Sequence, residues 1–202
     1  MTVTMKITVP EACLAGLEAS LQECKRSISD LHPTIDAALP KTKSGFKAPF
    51  VQATYHLSLS RVVAVHYPQI QPLIASLKQH LSKTQRFKVS FGRLEAFEND
   101  DKTRSFLSIL VDQGFDQVCR AVRRTNRAFA EHGLQQFHKD PRPHVSLMWA
   151  LGSTSQRLVT LSQEVQTGLG LALQEHPWEC NVSKIECRVG QRIYAVWEAI
   201  GS

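Results

Sequence analysis

The spacing of apolar residues along the chain predicts four helices. Apolar side chains recur every three or four positions in 10–29, 68–81, 115–129 and 157–173. This period keeps them on one face of a helix, so each segment should pack that face against a core. Pro10 suits the first turn of the first helix, where a missing N–H costs little.

Polar and apolar residues alternate in other segments, and this pattern predicts strands with one wet and one buried face. The alternation is present in 3–9, 55–60 and 144–149. Four further β-rich runs form two hairpin-like pairs, 87–97 with 103–111 and 178–189 with 192–200.

The order of these elements repeats along the chain. A helix and a pair of β-rich runs follow the strand that carries His56, and the same succession follows the strand that carries His144. Helix 115–129 links the halves, and the N-terminal strand and helix could be its symmetry mate. The sequence therefore predicts an α+β fold with two pseudo-symmetric lobes, each an antiparallel β-sheet with helices, around a central cleft. The whole of 1–202 is expected to form this single bilobal domain.

Segment 30–54 lacks either period. It contains prolines, a glycine and several lysines, namely Pro33, Pro40, Pro49, Gly45, Lys41, Lys43 and Lys47. We expect a flexible, basic loop, and long loops in compact domains are often functional.

Composition narrows the class of protein. The 202 residues are 43% hydrophobic and 21% charged, which indicates an ordered globular chain. No apolar run approaches the ~20 residues of a membrane span, and the N-terminus lacks an apolar signal core, so we expect neither membrane insertion nor secretion. Five scattered cysteines without a Cys-x-x-Cys pair favour a reducing compartment. A formal charge of +6 suits a polyanionic partner but is weak evidence alone.

The candidate chemistry lies in a repeated His-x-Ser motif. In His56-x-Ser58-x-Ser60 and in His144-x-Ser146, a period of two places imidazole and hydroxyls on one face of each strand. Two imidazoles can take a proton from one oxygen of a phosphate ester and give one to another, because both protonation states exist near neutral pH. A single His-x-Ser often occurs by chance, but two copies at matching places in a repeat favour function.

These motifs resemble the two-histidine (2H) phosphoesterase superfamily, and more closely its branch that processes the 3′ end of U6 small nuclear RNA, the Usb or Mpn phosphodiesterases. Three blocks carry the resemblance: His56 to Ser60, Lys102-Thr103-Arg104-Ser105-Phe106, and Asp140-Pro141 followed by His144-x-Ser146-Leu147-x-Trp149. The position two before Asp140 is usually a tyrosine that stacks on a terminal base in relatives, and here it is His138. His138 is therefore either a smaller stacking residue or an ordinary loop residue.

The resemblance implies a metal-independent 3′→5′ RNA exonuclease, without a cofactor, that trims the oligo-uridine end of U6 small nuclear RNA. It would use His56 and His144 as catalytic acid and base and leave a 2′,3′-cyclic phosphate, which some members open to a monophosphate. On this basis the enzyme would be a hydrolase and also a lyase, a nuclear monomer with single-stranded RNA as its partner and no contact with a membrane. The expected substrate-binding residues are Ser58, Ser146, Ser60, Tyr55, His138, Lys139 and Arg142.

Several alternatives stay open at this point. A superfamily cousin could act on cyclic phosphates or on 2′,5′ linkages, and a non-catalytic nucleotide- or RNA-binding module could have kept the cleft.

We predict that His144 is the base toward the 2′-hydroxyl and His56 the acid toward the leaving 5′-oxygen. Trp149, Trp178 and Trp197 are expected to be core residues. The arginines of helix 115–129 form either a phosphate track or a solvated face.

Overall fold

A computed structural model describes residues 1–34, 51 and 54–199. The α+β prediction is confirmed: within these residues, helices α1 to α4 pack on a large antiparallel sheet. The helices are α1 (Leu14–Ser27), α2 (Ile70–Leu81), α3 (Phe115–Glu131) and α4 (Ser155–Glu175). The strands are β1 (Thr2–Thr8), β2 (His32–Pro33), β3 (Thr54–Ser58), β4 (Phe87–Glu98), β5 (Arg104–Val111), β6 (His144–Leu151), β7 (Glu179–Val182), β8 (Lys184–Val189) and β9 (Arg192–Glu198).

The strand order shows how the duplicated halves are joined. Along the sheet the order is β7-β4-β5-β6-β3-β1-β8-β9, and β2 pairs with β6. The chain therefore runs as two similar units, β1-α1-β3-α2-β4 and β5-α3-β6-α4-β8. Each unit places its last strand in the other half of the sheet, because β4 pairs with β5 and β8 pairs with β1. The two motif strands, β3 and β6, meet at the centre through the pair Leu57–Val145.

The buried side of the sheet follows the predicted alternation. Leu57, Leu59, Val145 and Leu147 are all fully buried. Burying such a side chain stabilises the fold by roughly 1.5–3 kcal/mol, so a shift of register by one residue would be costly. The motif histidines and serines are consequently kept on the opposite side of the two strands.

The helices pack in pairs behind the sheet, α1 with α4 and α2 with α3. At Gly16 in α1, an added Cβ would lie 2.6 Å from the Cβ of Ala172 in α4. The absence of a side chain at Gly16 therefore permits the close approach of these two helices. Since α1 and α4 come from different units, this contact also joins the two halves.

Two parts of the strand prediction need correction. The predicted run 178–189 is divided at Ser183 into β7, which pairs with β4, and β8, which pairs with β1 and β9. The predicted loop 30–54 begins with a short strand, because His32 and Pro33 pair with Trp149 and Met148 of β6. The rest of that prediction, over 35–50 and 52–53, lies outside the described residues.

Candidate active site

The register of the two central strands brings the repeated motifs together. Because Leu57 is paired with Val145 in antiparallel register, His56 lies beside Ser146 and Ser58 lies beside His144. Residues directly opposite each other point to the same face of a sheet, and diagonal neighbours lie about 7–8 Å apart, with their Cβ atoms somewhat closer. His56 and His144 are such diagonal neighbours, so their imidazoles lie on the same face of the two strands.

A cavity of about 640 Å³ opens on this face of the sheet. It is lined by motif residues, aromatic rings and charged side chains, namely Ser58, Ser60, Phe97, Glu98, Asp100, Phe106, Phe137, His138, Lys139, Asp140, Arg142, His144 and Ser146. His56 stands next to this set, exposed on β3, with Lys6 of β1 as its cross-strand partner. The cleft therefore contains most of the predicted substrate-binding residues.

The imidazole of His144 is fixed in one tautomer. Its Nδ1 lies 2.7 Å from the carbonyl oxygen of Arg142. A carbonyl oxygen only accepts hydrogen bonds, so Nδ1 carries the proton and Nε2 presents a lone pair. Burial lowers the pKa of His144 below its ordinary value, and this effect outweighs the hydrogen bond to the Arg142 carbonyl and the nearby Glu95 carboxylate, which both raise it. A neutral imidazole with an available Nε2 is the form that a general base requires.

The phenyl ring of Phe97 stacks on the imidazole of His144. The two ring centroids are 4.1 Å apart and the planes differ by 18°, which is a stacked arrangement. The guanidinium of Arg142 lies 5.3 Å from the centre of the same phenyl ring and forms an ion pair with Glu95. Phe97 and the Arg142 carbonyl together leave His144 little freedom to rotate.

The two motif serines differ in their surroundings. The hydroxyl of Ser146 lies 3.2 Å from that of Ser108, a fully buried residue on the neighbouring strand β5. Ser58 is exposed on β3. Both hydroxyls face the cleft, where they can donate hydrogen bonds to phosphate oxygens.

Two of the predicted substrate-binding residues are placed differently. Tyr55 is 1% exposed and its ring packs against Trp178, because it points to the same side of β3 as Leu57. Ser60 borders the cleft but is only 3% exposed. Its hydroxyl accepts a hydrogen bond from the backbone N–H of Val3 and donates one to the carbonyl of Arg61. The structure thus gives Tyr55 a packing role and Ser60 a role in joining β1 to the end of β3.

His138 is exposed at the edge of the cleft and contacts Arg61, the residue that follows the first motif. One nitrogen of the Arg61 guanidinium lies 3.2 Å from Nδ1 of His138, and Arg61 also forms an ion pair with Asp100. Partial burial and the adjacent guanidinium lower the pKa of His138. Lys139 is exposed beside it and lines the same cleft.

Sequence patterns missed the residues that support the motifs from neighbouring strands. Phe97, Phe106 and Ser108 all lie in runs correctly predicted as strands, but their contact with the second motif depends on strand pairing. Trp178 and Trp197 are buried as predicted. The prediction for Trp149 is wrong: it is half-buried and faces the open side of the sheet, because a bulge at Leu147 changes the alternation within β6.

The described residues contain no group of three or more histidine, cysteine, aspartate or glutamate side chains arranged to hold a metal ion. All five cysteines are free thiols, and burial raises the pKa of Cys24 and Cys187 to about 12. Such thiols are poor nucleophiles at neutral pH. None of the described helices is both long and apolar enough to cross a membrane.

The duplicated sheet with two His-x-Ser strands at its centre is the fold of the two-histidine phosphoesterases. The same fold is present in Usb1 from Kluyveromyces marxianus, with a TM-score of 0.68 at 15% identity over 97% of this chain and 96% of Usb1. A second structure of that protein contains uridine monophosphate. The chain belongs to the HVSL family, described as an uncharacterised conserved protein, whose family model matches residues 4–197.

Curated relatives confirm the resemblance that the motifs indicated. U6 snRNA phosphodiesterase 1 from Mus musculus is 32% identical over 136 residues, which are 67% of this chain and 50% of the mouse protein. The protein of that name from Homo sapiens is 27% identical over 176 residues, 86% of this chain and 65% of the human protein. The chain therefore spans about half of the mouse protein's length and somewhat more of the human protein's.

These names correct one expectation. A phosphodiesterase of this kind is a hydrolase, and the additional expectation of a lyase conflicts with that activity and is wrong. The sequence motifs describe only the residues that move protons, which are common to both kinds of reaction.

Proposed function

We propose that this protein is a metal-independent 3′→5′ exoribonuclease that trims uridines from the 3′ end of U6 small nuclear RNA. The observation that carries the proposal is the pairing of Leu57 with Val145, which gathers His56, Ser58, His144 and Ser146 on one face of two adjacent strands. The names of the curated relatives support the choice of RNA. The same relatives support a role in the nucleus, and we propose that the protein acts there as a monomer.

The first step is an attack by the 2′-hydroxyl of the penultimate ribose on the last phosphodiester. Nε2 of His144 takes the proton of that hydroxyl, which is the role that its fixed tautomer favours. His56 gives a proton to the 5′-oxygen of the terminal nucleoside as the P–O bond breaks. The products are a free nucleoside and an RNA that ends in a 2′,3′-cyclic phosphate.

The second step returns both histidines to their starting states. Water adds to the cyclic phosphate, one imidazole takes its proton, and the other protonates the ribose oxygen that leaves. A phosphomonoester remains on the RNA, so the complete reaction is the hydrolysis of one phosphodiester bond. The same four side chains serve both steps.

The charges around the cleft suit a phosphate substrate. Ser58 and Ser146 present hydroxyls to the non-bridging oxygens, whose negative charge grows in the transition state. Lys139 and Arg142 line the same cleft and provide cations near the scissile bond. His138 lines it as well, and its ring can stack on the terminal base.

One assay tests this function against its alternatives. RNA that ends in several uridines is incubated with the protein and EDTA, and its length and end groups are followed. The exonuclease produces progressively shorter RNA. Conversion of the end without shortening would indicate a cyclic phosphodiesterase, and no change at all would indicate a binding module.

A modified substrate tests the attacking group. RNA with a 2′-deoxy penultimate ribose lacks the proposed nucleophile but keeps the phosphate and the bases. We expect the enzyme to leave its last nucleotide in place, whereas efficient trimming would show that water attacks directly.

A further inference from the structure

Four aromatic side chains form a row across the open face of the sheet. The strand register pairs His32 of β2 with Trp149 of β6, Trp149 with Phe106 of β5, and Phe106 with Phe97 of β4. Directly paired residues point to the same face, so these four rings lie side by side across four strands. The His32 and Trp149 ring centroids are 4.9 Å apart. We call these residues the aromatic row.

The aromatic row begins at the catalytic imidazole and continues past the cleft. Phe97 stacks on His144, and both Phe97 and Phe106 line the cavity. Trp149 and His32 lie beyond the cavity lining, with Trp149 half-buried and His32 exposed. Trp149 occupies this face only because of the bulge at Leu147, which restores it to the side of Ser146.

The side chain of Arg104 lies beside the outer end of the aromatic row. The guanidinium of Arg104 lies 4.9 Å from the centre of the Trp149 ring, and Arg104 is exposed. The turn before Arg104 is held by side chains: Asn99 accepts a hydrogen bond from the Arg104 N–H, and Asp101 accepts hydrogen bonds from the N–H and hydroxyl of Thr103. These hydrogen bonds fix the backbone at Arg104, from which its side chain extends to Trp149.

We propose that Trp149, His32 and Arg104 form a second binding site, which takes nucleobases of the RNA upstream of the terminal nucleotide. This inference rests on the proposed function. A row of aromatic rings on an open sheet, with a cation beside it, is suited to stack on successive bases and to attract the phosphates between them. An exonuclease holds the 3′ end in its cleft, so any nucleotide bound outside the cleft belongs to the upstream chain.

The site predicts that affinity increases with RNA length. Stacking on one aromatic side chain contributes about 1–3 kcal/mol per base, which corresponds to roughly 5- to 150-fold in affinity. Trp149 lies outside the cavity lining, so we expect a hexanucleotide to contact more of the aromatic row than a dinucleotide held in the cleft. The length dependence is therefore the quantity that distinguishes the outer site from the catalytic cleft.

The experiment measures the binding of oligouridines of two to six nucleotides with a 2′-deoxy penultimate ribose. Binding is followed by fluorescence anisotropy for the wild type and for Trp149→Leu, Arg104→Gln and Arg120→Gln. The matching all-ribose oligomers give kcat/KM. Arg120 is exposed on α3, which packs with α2 behind the sheet and away from the aromatic row, so this variant controls for the loss of one positive charge.

The wild type and the Arg120→Gln control should bind the hexamer at least ten-fold more tightly than the dimer. In Trp149→Leu and Arg104→Gln this ratio should fall several-fold, and the corresponding ratio of kcat/KM should fall with it. Trp149→Phe should retain most of the ratio, and thermal unfolding shows whether each variant is folded. Arg104 is exposed, so its variant keeps the test valid if the Trp149 variant is unstable.

Unchanged length ratios in folded Trp149→Leu and Arg104→Gln would overturn the second site while leaving the proposed function intact. A wild type that cleaves all lengths equally well, without any length effect on binding, would overturn it too. Failure of the wild type to bind or cleave RNA of any length would instead overturn the proposed function.

Discussion

The two His-x-Ser strands share a motif but differ in their surroundings. His144 is half-buried, stacked on Phe97 and bonded through Nδ1 to a backbone carbonyl. His56 is exposed on β3 between β1 and β6. Ser146 has a buried hydroxyl neighbour in Ser108, whereas Ser58 is exposed.

This difference shows how a duplicated motif can supply two unlike groups. The repeat gives each half an imidazole and a hydroxyl, and the neighbouring strands then determine how each behaves. Burial and the fixed tautomer favour a neutral imidazole at position 144, which suits a base. The imidazole at position 56 is exposed on β3, and we propose that it acts as the acid.

The largest expected effect comes from removing either imidazole. His56→Ala and His144→Ala should each reduce kcat by about 10²–10⁴-fold, because each loses a positioned acid or base. Binding of RNA with a 2′-deoxy penultimate ribose should change little, and thermal unfolding should show a folded protein. Activity within a few-fold of the wild type in either variant would contradict the assignment.

A smaller effect is expected from the serines, and it should be unequal. Ser58→Ala and Ser146→Ala each remove a proposed donor to the phosphate, and such a loss can cost about 10²–10³-fold in kcat. Ser108→Ala removes only the support behind Ser146, so we expect a loss of roughly ten-fold or less. Steady-state kinetics of the three variants measure the comparison. A Ser108 variant as impaired as the Ser146 variant would show that Ser108 itself contacts the substrate.

The pH dependence of kcat/KM tests the surroundings of His144. The proposed base, His144, would act in its neutral form and its pKa is lowered, so the acid limb of kcat/KM should lie below pH ~6.5. Phe97→Leu exposes the imidazole to water, which should raise its pKa and move this limb to higher pH. Phe106→Leu changes a ring of the cleft that has no stacking contact with His144, and the limb should stay in place. Identical pH profiles for the wild type and Phe97→Leu would show that Phe97 does not influence the pKa of His144.

The sequence predicted most of the fold because its signals are local. The apolar spacing of α2 and α3 and the alternation around His56 and His144 depend on residues a few positions apart. The exchange of β4 and β8 between the halves was not visible, since it is decided by pairing between distant segments. The bulge at Leu147 turns Trp149 to the open face of the sheet, and it too depends on pairing with a distant strand.

The sequence predicts the motif residues of the candidate site but not the residues on neighbouring strands that contact them. His56, Ser58, His144 and Ser146 repeat at matching places, and that repetition is readable without a structure. Phe97 supports His144 from another strand and has no sequence relation to it. The family resemblance implies that Tyr55 binds the substrate, whereas the alternation along β3 predicts that it lies on the buried side with Leu57, which is where the structure places it.

The central claim is that His144 is the base and His56 the acid, and a change of the leaving atom tests it most directly. RNA whose last phosphodiester has sulfur in place of the bridging 5′-oxygen releases a thiolate, which leaves without protonation. This substrate should restore cleavage by His56→Ala to near the wild-type rate and leave His144→Ala inactive. Restored cleavage by His144→Ala alone would reverse the two roles and contradict the account.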